Sequence, residues 1–122
     1  MRRTALVVLL LLSACDDHAV PEITGVWTSG WTRLTLTGHD DGRVTGIMTA
    51  VGGRVRGEVE GTYEYPEVVL VFPLTHAWPL EPDRVRFEGV MEPGGRSVGG
   101  TVTDLDLGDV SPYTIHKLGE KP

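Results

Sequence analysis

The chain reads as an all-β protein, a small antiparallel up-and-down barrel of about eight strands, and three observations lead there. Its 16 glycines and 8 prolines sit between short segments and form no tract, as turn residues between strands do. The segments alternate. In the clearest, Val55, Gly57, Val59, Gly61 and Tyr63 form one row, and Arg54, Arg56, Glu58, Glu60, Thr62 and Glu64 form the other. That is the pattern of an antiparallel strand with one face in water. No segment beyond residue 15 carries a long helical pattern of Ala, Leu, Glu and Lys. Short links favour pairing between sequence neighbours, and closing such a meander removes its exposed edges. A two-sheet sandwich satisfies the same alternation and is the alternative.

In chain order, Ile23–Gly30 is the first expected strand, with Trp27 entering the core, and Trp31–Thr37 the second, with Leu34 and Leu36 on one side. An Asp41-Gly42 turn leads into Arg43–Ala50, and Gly52-Gly53 turns into Arg54–Glu64. Tyr65-Pro66-Glu67 breaks the pattern before the apolar run Val68–Phe72, which Pro73 closes. The proline-rich connection Thr75–Asp83 is expected over one end, with Trp78 as its plug. Arg84–Met91, a Glu92-Pro93-Gly94-Gly95 turn and Arg96–Thr103 follow. The acidic stretch Asp104–Asp109 connects to a last strand, Ser111–Leu118. Inward glycines at 46, 57, 61, 89 and 100 suit sharp curvature. They leave room that Trp27, Trp31, Trp78, Tyr63, Phe72 and Phe87 can fill, so a filled interior and a hollow one both stay open.

The amino end has a different character. Met1-Arg2-Arg3 places positive charge before the apolar run Thr4–Leu12, which Ser13-Ala14-Cys15 follows. The run is about half the roughly 20 residues that a membrane span needs, but it fits the core of an export signal. Leu12-Ser13-Ala14-Cys15 resembles the processing motif of bacterial lipoproteins. The resemblance implies removal of residues 1–14 and acylation of Cys15, the only cysteine. It divides the chain into a signal peptide (1–14), a lipidated cysteine with a short tether (15–22), a barrel domain (23–118) and a tail (119–122). Anchoring by two or more acyl chains is stable where one is marginal. The expected location is the extracytoplasmic side of a cell-envelope membrane. Asp16 and Asp17 resemble an inner-membrane retention signal of enteric bacteria, a rule that varies between lineages, so inner and outer membrane both stay open.

Gly25-Val26-Trp27, Leu34-Thr35-Leu36 and Gly42-Arg43-Val44-Thr45-Gly46 resemble the opening of avidin-like and lipocalin-like barrels. What that resemblance implies is architecture; no ligand residues carry over. The formal charge of −6 becomes about −8 once Arg2 and Arg3 leave with the signal, which argues against a nucleic-acid partner.

Chemistry-bearing residues are sparse. His18, His39, His76 and His116 are scattered, and no serine lies in a nucleophile-elbow sequence. Asp104, Asp106 and Asp109 are weak calcium candidates, because the longer run of oxygen ligands closed by a glutamate is missing. No cofactor is expected. The primary reading is a lipid-anchored, non-catalytic binding or structural module with an envelope partner. A lipocalin-like carrier of a small apolar ligand is the alternative, its pocket lined by Trp27, Leu34, Leu36, Val55, Tyr63 and Phe87. An envelope enzyme comes last.

Overall fold

A computed structural model describes residues 20–50, 55–74 and 83–119. The expected signal, Cys15, the Gly52-Gly53 turn and the Trp78 connection lie outside the described residues. Eight strands follow one another: β1 (Gly25–Ser29), β2 (Thr32–Gly38), β3 (Arg43–Ala50), β4 (Val55–Glu64), β5 (Glu67–Leu74), β6 (Asp83–Met91), β7 (Ser97–Asp104) and β8 (Val110–Lys117). Each pairs antiparallel with its sequence neighbours, and β8 returns to β1 to close a barrel. The up-and-down barrel is therefore the architecture, and the sandwich is not.

Alternation sets which side chains go inside. Trp27, Leu34, Leu36, Val44, Met48, Val59, Val68, Leu70, Phe72, Val85, Phe87, Met91, Val98 and Ile115 are all buried, and they form one core. Most of their outward neighbours are polar. Arg33, Thr35, Arg56, Glu58, Glu60, Arg86, Glu88 and Thr101 lie on the wet side of the same strands. An apolar inside with a charged outside is the reverse of a membrane-spanning barrel, whose lipid-facing band must be apolar.

Two glycines show why the inward row carries so few large residues at some levels. A Cβ on Gly61 would lie 1.9 Å from the Val69 carbonyl oxygen, and one on Gly100 would lie 1.9 Å from that of Glu88. At these levels the neighbouring strand's backbone occupies the space a side chain would take, so the sheet coils tightly into a narrow barrel.

The structure moves several strand boundaries. β5 runs through Pro73, opposite Arg84, to Leu74, so the proline does not close it. β2 starts at Thr32, and Trp31 belongs to the two-residue turn with Gly30, which adopts φ 59°. With Leu34 and Leu36 inward, period-two spacing puts residue 32 inside and residue 31 outside. Trp31 is accordingly 83% exposed, not a filler of the interior.

The closing seam is the shortest ladder. β1 and β8 pair at Trp27↔Lys117 and Thr28↔His116, extended by the Leu118 N–H donating to the Val26 carbonyl. Beyond His116, β8 runs on toward Val110 alongside β7 alone.

Gly61→Ala and Gly100→Ala should each destabilise the barrel by about 3 kcal/mol or more, because backbone must move to admit the methyl. Thr101→Ala, on the outer face, should stay within about 0.5 kcal/mol. Urea denaturation midpoints of the three variants check this.

Candidate functional site

The interior is a packed core among the described residues. Trp27, Leu34, Met48, Leu70 and Phe87 keep 0% of their surface. A void large enough for a water would leave accessible area on the side chains around it. Of the six residues that a carrier would use, Trp27, Leu34, Leu36 and Phe87 are in this packed centre. Tyr63 is only partly buried and packs at its margin. The Val55 side chain lies outside the described residues.

The two ends of the barrel differ. At the end where β1 begins and β8 ends, here the terminal end, residues 21–24 fold across the opening. Ile23 is buried, and its carbonyl accepts the Trp27 indole N–H at 2.9 Å. The Tyr63 hydroxyl donates to the Pro21 carbonyl, and Gly38 N–H donates to Thr24 Oγ1 at 2.9 Å. Lys117 Nζ sits 5.5 Å from the Trp27 ring centre and donates to the Glu22 carbonyl at 3.0 Å. This end is closed by the chain's own approach to the barrel.

The other end, here the far end, carries the β1–β2 and β7–β8 turns. Tyr113 roofs the core there, with its ring 5.7 Å from that of Phe87 in an edge-on contact and 6.4 Å from that of Phe72. Its hydroxyl is buried beside the hydroxyls of Thr32 and Ser29 but makes no well-formed hydrogen bond. Burial pushes the Tyr113 hydroxyl above the ordinary tyrosine pKa, and those two hydroxyls offset part of the rise.

Asp104 continues the inward row of Val98 and Val102 and is buried. Its Oδ1 accepts the N–H groups of Asp106 and Leu107, each at 2.8 Å, which builds the turn. Asp106 and Asp109 are exposed, and no three His, Cys, Asp or Glu side chains among the described residues are grouped to hold a metal. The far-end turns also present apolar side chains to solvent: Trp31, Leu105, Leu107 and Val110.

Residue character alone does not mark Tyr113 or Asp104 as inward side chains, but parity does: Tyr113 shares its row with Ile115, and Asp104 shares its row with Val98 and Val102. His39 caps its turn by a 2.9 Å contact with Thr45 Oγ1, and His116 is exposed in the seam. A depression on the outer wall runs along β3 and β4, where Arg43, Arg84, Glu58 and Glu60 mix both charges around Ile47 and Val71. No helix among the described residues is long and apolar enough to cross a membrane.

A tyrosine whose folded pKa is raised stabilises the fold below its unfolded pKa, near 10, and that contribution is lost as pH rises through the folded value. Stability measured by urea from pH 7 to 11 should therefore fall at the alkaline end. Tyr113→Phe should flatten that fall and leave stability at pH 7 unchanged or slightly higher, since it removes a hydroxyl without a good partner. A loss above about 1 kcal/mol at pH 7 would show that the hydroxyl is bonded after all. The closed eight-stranded antiparallel barrel agrees with the architecture of avidin-like and lipocalin-like proteins, while the chain matches no protein-family model, no curated protein and no solved structure.

Proposed function

We propose that this chain is a non-catalytic binding module of the cell envelope, tethered through Cys15 at the terminal end and working through its surface at the far end. The observation that carries this reading is the packed interior: with Trp27, Leu34, Met48 and Phe87 stripped of accessible surface, a partner meets the barrel from outside. The arrangement of the ends supports the orientation. Cys15 precedes Val20 by a stretch that spans at most about 20 Å when extended, so a lipid there keeps the closed end near the membrane. The exposed apolar side chains of the far end then point away from the bilayer.

A carrier of a small apolar ligand is the second reading. The barrel architecture suits it, and Tyr113 favours it specifically. Its ring roofs the core at the far end and its hydroxyl has no well-formed hydrogen bond holding it in place. A ligand could therefore displace it at little cost in polar contacts.

Two measurements test these readings. Cys15→Ser should move the protein from the membrane fraction to the soluble fraction and leave its fold intact; continued tight membrane association would overturn the anchor. Native mass spectrometry of residues 16–122 should give the bare mass of the chain. A reproducible added mass that departs on unfolding would replace the surface reading with the carrier.

A further inference from the structure

Hydrogen-bond parity along β8 exposes a feature that the barrel's closure conceals. Asp104 N–H donates to the Asp109 carbonyl, and Lys117 N–H donates to the Arg96 carbonyl. These fix the β7-facing residues of β8 as the odd ones, 111, 113 and 115, because the bonding direction alternates along an antiparallel strand. The even residues face β1. His116 pairs there with Thr28, and Leu118 N–H reaches Val26. β1 ends at Ser29 and its chain turns away at Gly30, so Thr114, Pro112 and Val110 face the same way with no backbone partner among the described residues. The β7–β8 hairpin thus presents a short bare edge at the far end. Apolar side chains bracket it: Trp31 at 83% exposure on the β1 side, and Leu107 and Val110 at 71% and 62% toward the hairpin tip.

A bare strand edge is a template for another strand, and flanking apolar side chains supply the specificity that backbone pairing lacks. We infer that this edge takes an extended segment of a partner protein, about three to five residues long, with apolar side chains at alternate positions. The inference rests on the surface-binding reading above and names the partner class for it. A second copy of the chain is disfavoured by where the tether leaves the barrel. Two-fold pairing of one β8 with another would be antiparallel and would point the two barrels' terminal ends in opposed directions, which tethers of about 20 Å to one membrane do not allow.

Pro112 limits the segment. It removes the one donor in the middle of the edge, so the edge offers the carbonyls of 110, 112 and 114 with N–H groups only at Val110 and Thr114. That suits a short ligand and discourages a long ladder or uncontrolled self-pairing.

The test uses the full chain and a displayed library of random ten-residue peptides as the probe. Enriched peptides should show apolar residues at every second position. Thr114→Pro should weaken their binding at least tenfold, while its urea midpoint stays near that of the wild type, because the N–H it deletes is unused in the barrel. Val110→Lys, which leaves the backbone edge whole, should weaken binding through the apolar flank, and Pro112→Val should tighten it several-fold by restoring a donor. The inference is overturned if no peptides enrich, if they bind Thr114→Pro as well as wild type, or if the edge instead drives a concentration-dependent dimer that Thr114→Pro abolishes. These failures are distinct from that of the underlying reading, which a small molecule retained in native mass spectrometry would overturn by itself.

Discussion

Trp27 is where the first strand, the last strand and the barrel's interior come together, and the fold depends on how its polar and apolar parts are served. The ring is fully buried in the core, so its N–H must find an acceptor or cost free energy of about 1–3 kcal/mol. It finds the Ile23 carbonyl, which draws the segment before β1 across the terminal end. Trp27 is also half of a seam pair, opposite Lys117, whose ammonium lies over the indole face and ties down the Glu22 carbonyl. Closure of the sheet, closure of its terminal end and burial of its largest side chain are thus one arrangement. A seam with so few backbone pairs can hold because side chains on both sides of it reinforce the join.

Everything downstream follows from how little space that closure leaves. Inward glycines allow neighbouring backbones to approach where side chains would collide, and among the described residues the aromatic and aliphatic side chains at the other levels pack together in the middle. A filled barrel has spent its inside on stability. Its chemistry is then confined to the wall and the two ends. The wall mixes both charges on the same strands, as in the exposed Arg86–Glu88 pair at 3.0 Å, which contributes little in water. The terminal end is occupied by the chain itself. Among the described residues, the far end combines an unpaired stretch of the β8 edge, exposed apolar turns and a roofing tyrosine whose hydroxyl has no well-formed hydrogen bond.

Much of this was legible in the sequence. Strict alternation in residues 55–63 identifies the half-exposed strand, and turn chemistry at Asp41-Gly42 and Glu92–Gly95 sets the hairpins around it. Asp41 and Glu92 lock those turns by accepting backbone N–H groups, which holds both carboxyls below their ordinary pKa. What escaped was of two kinds. The aromatic character of Trp31 suggests the interior, yet parity with Leu34 and Leu36 puts it out. The acidic run suggests an exposed loop, yet parity with Val102 puts Asp104 in, where its carboxylate is used by the turn. In both cases spacing is a better guide than residue character. The short seam and the bare edge of β8 were not legible at all. They depend on where β1 stops relative to β8 across the closed sheet, a long-range stagger that no local pattern encodes.

The fold and the surface-binding role both depend on the barrel's holding a core and not a pocket. Methyl-resolved NMR of the protein, titrated with benzene or placed under xenon, addresses it directly, since even a modest dry cavity lined by aliphatic and aromatic side chains takes up both. With a packed core, the methyl signals of Leu34, Leu36, Val59, Leu70 and Ile115 stay in place. Saturable shifts centred on those residues would reveal a hollow interior and contradict it.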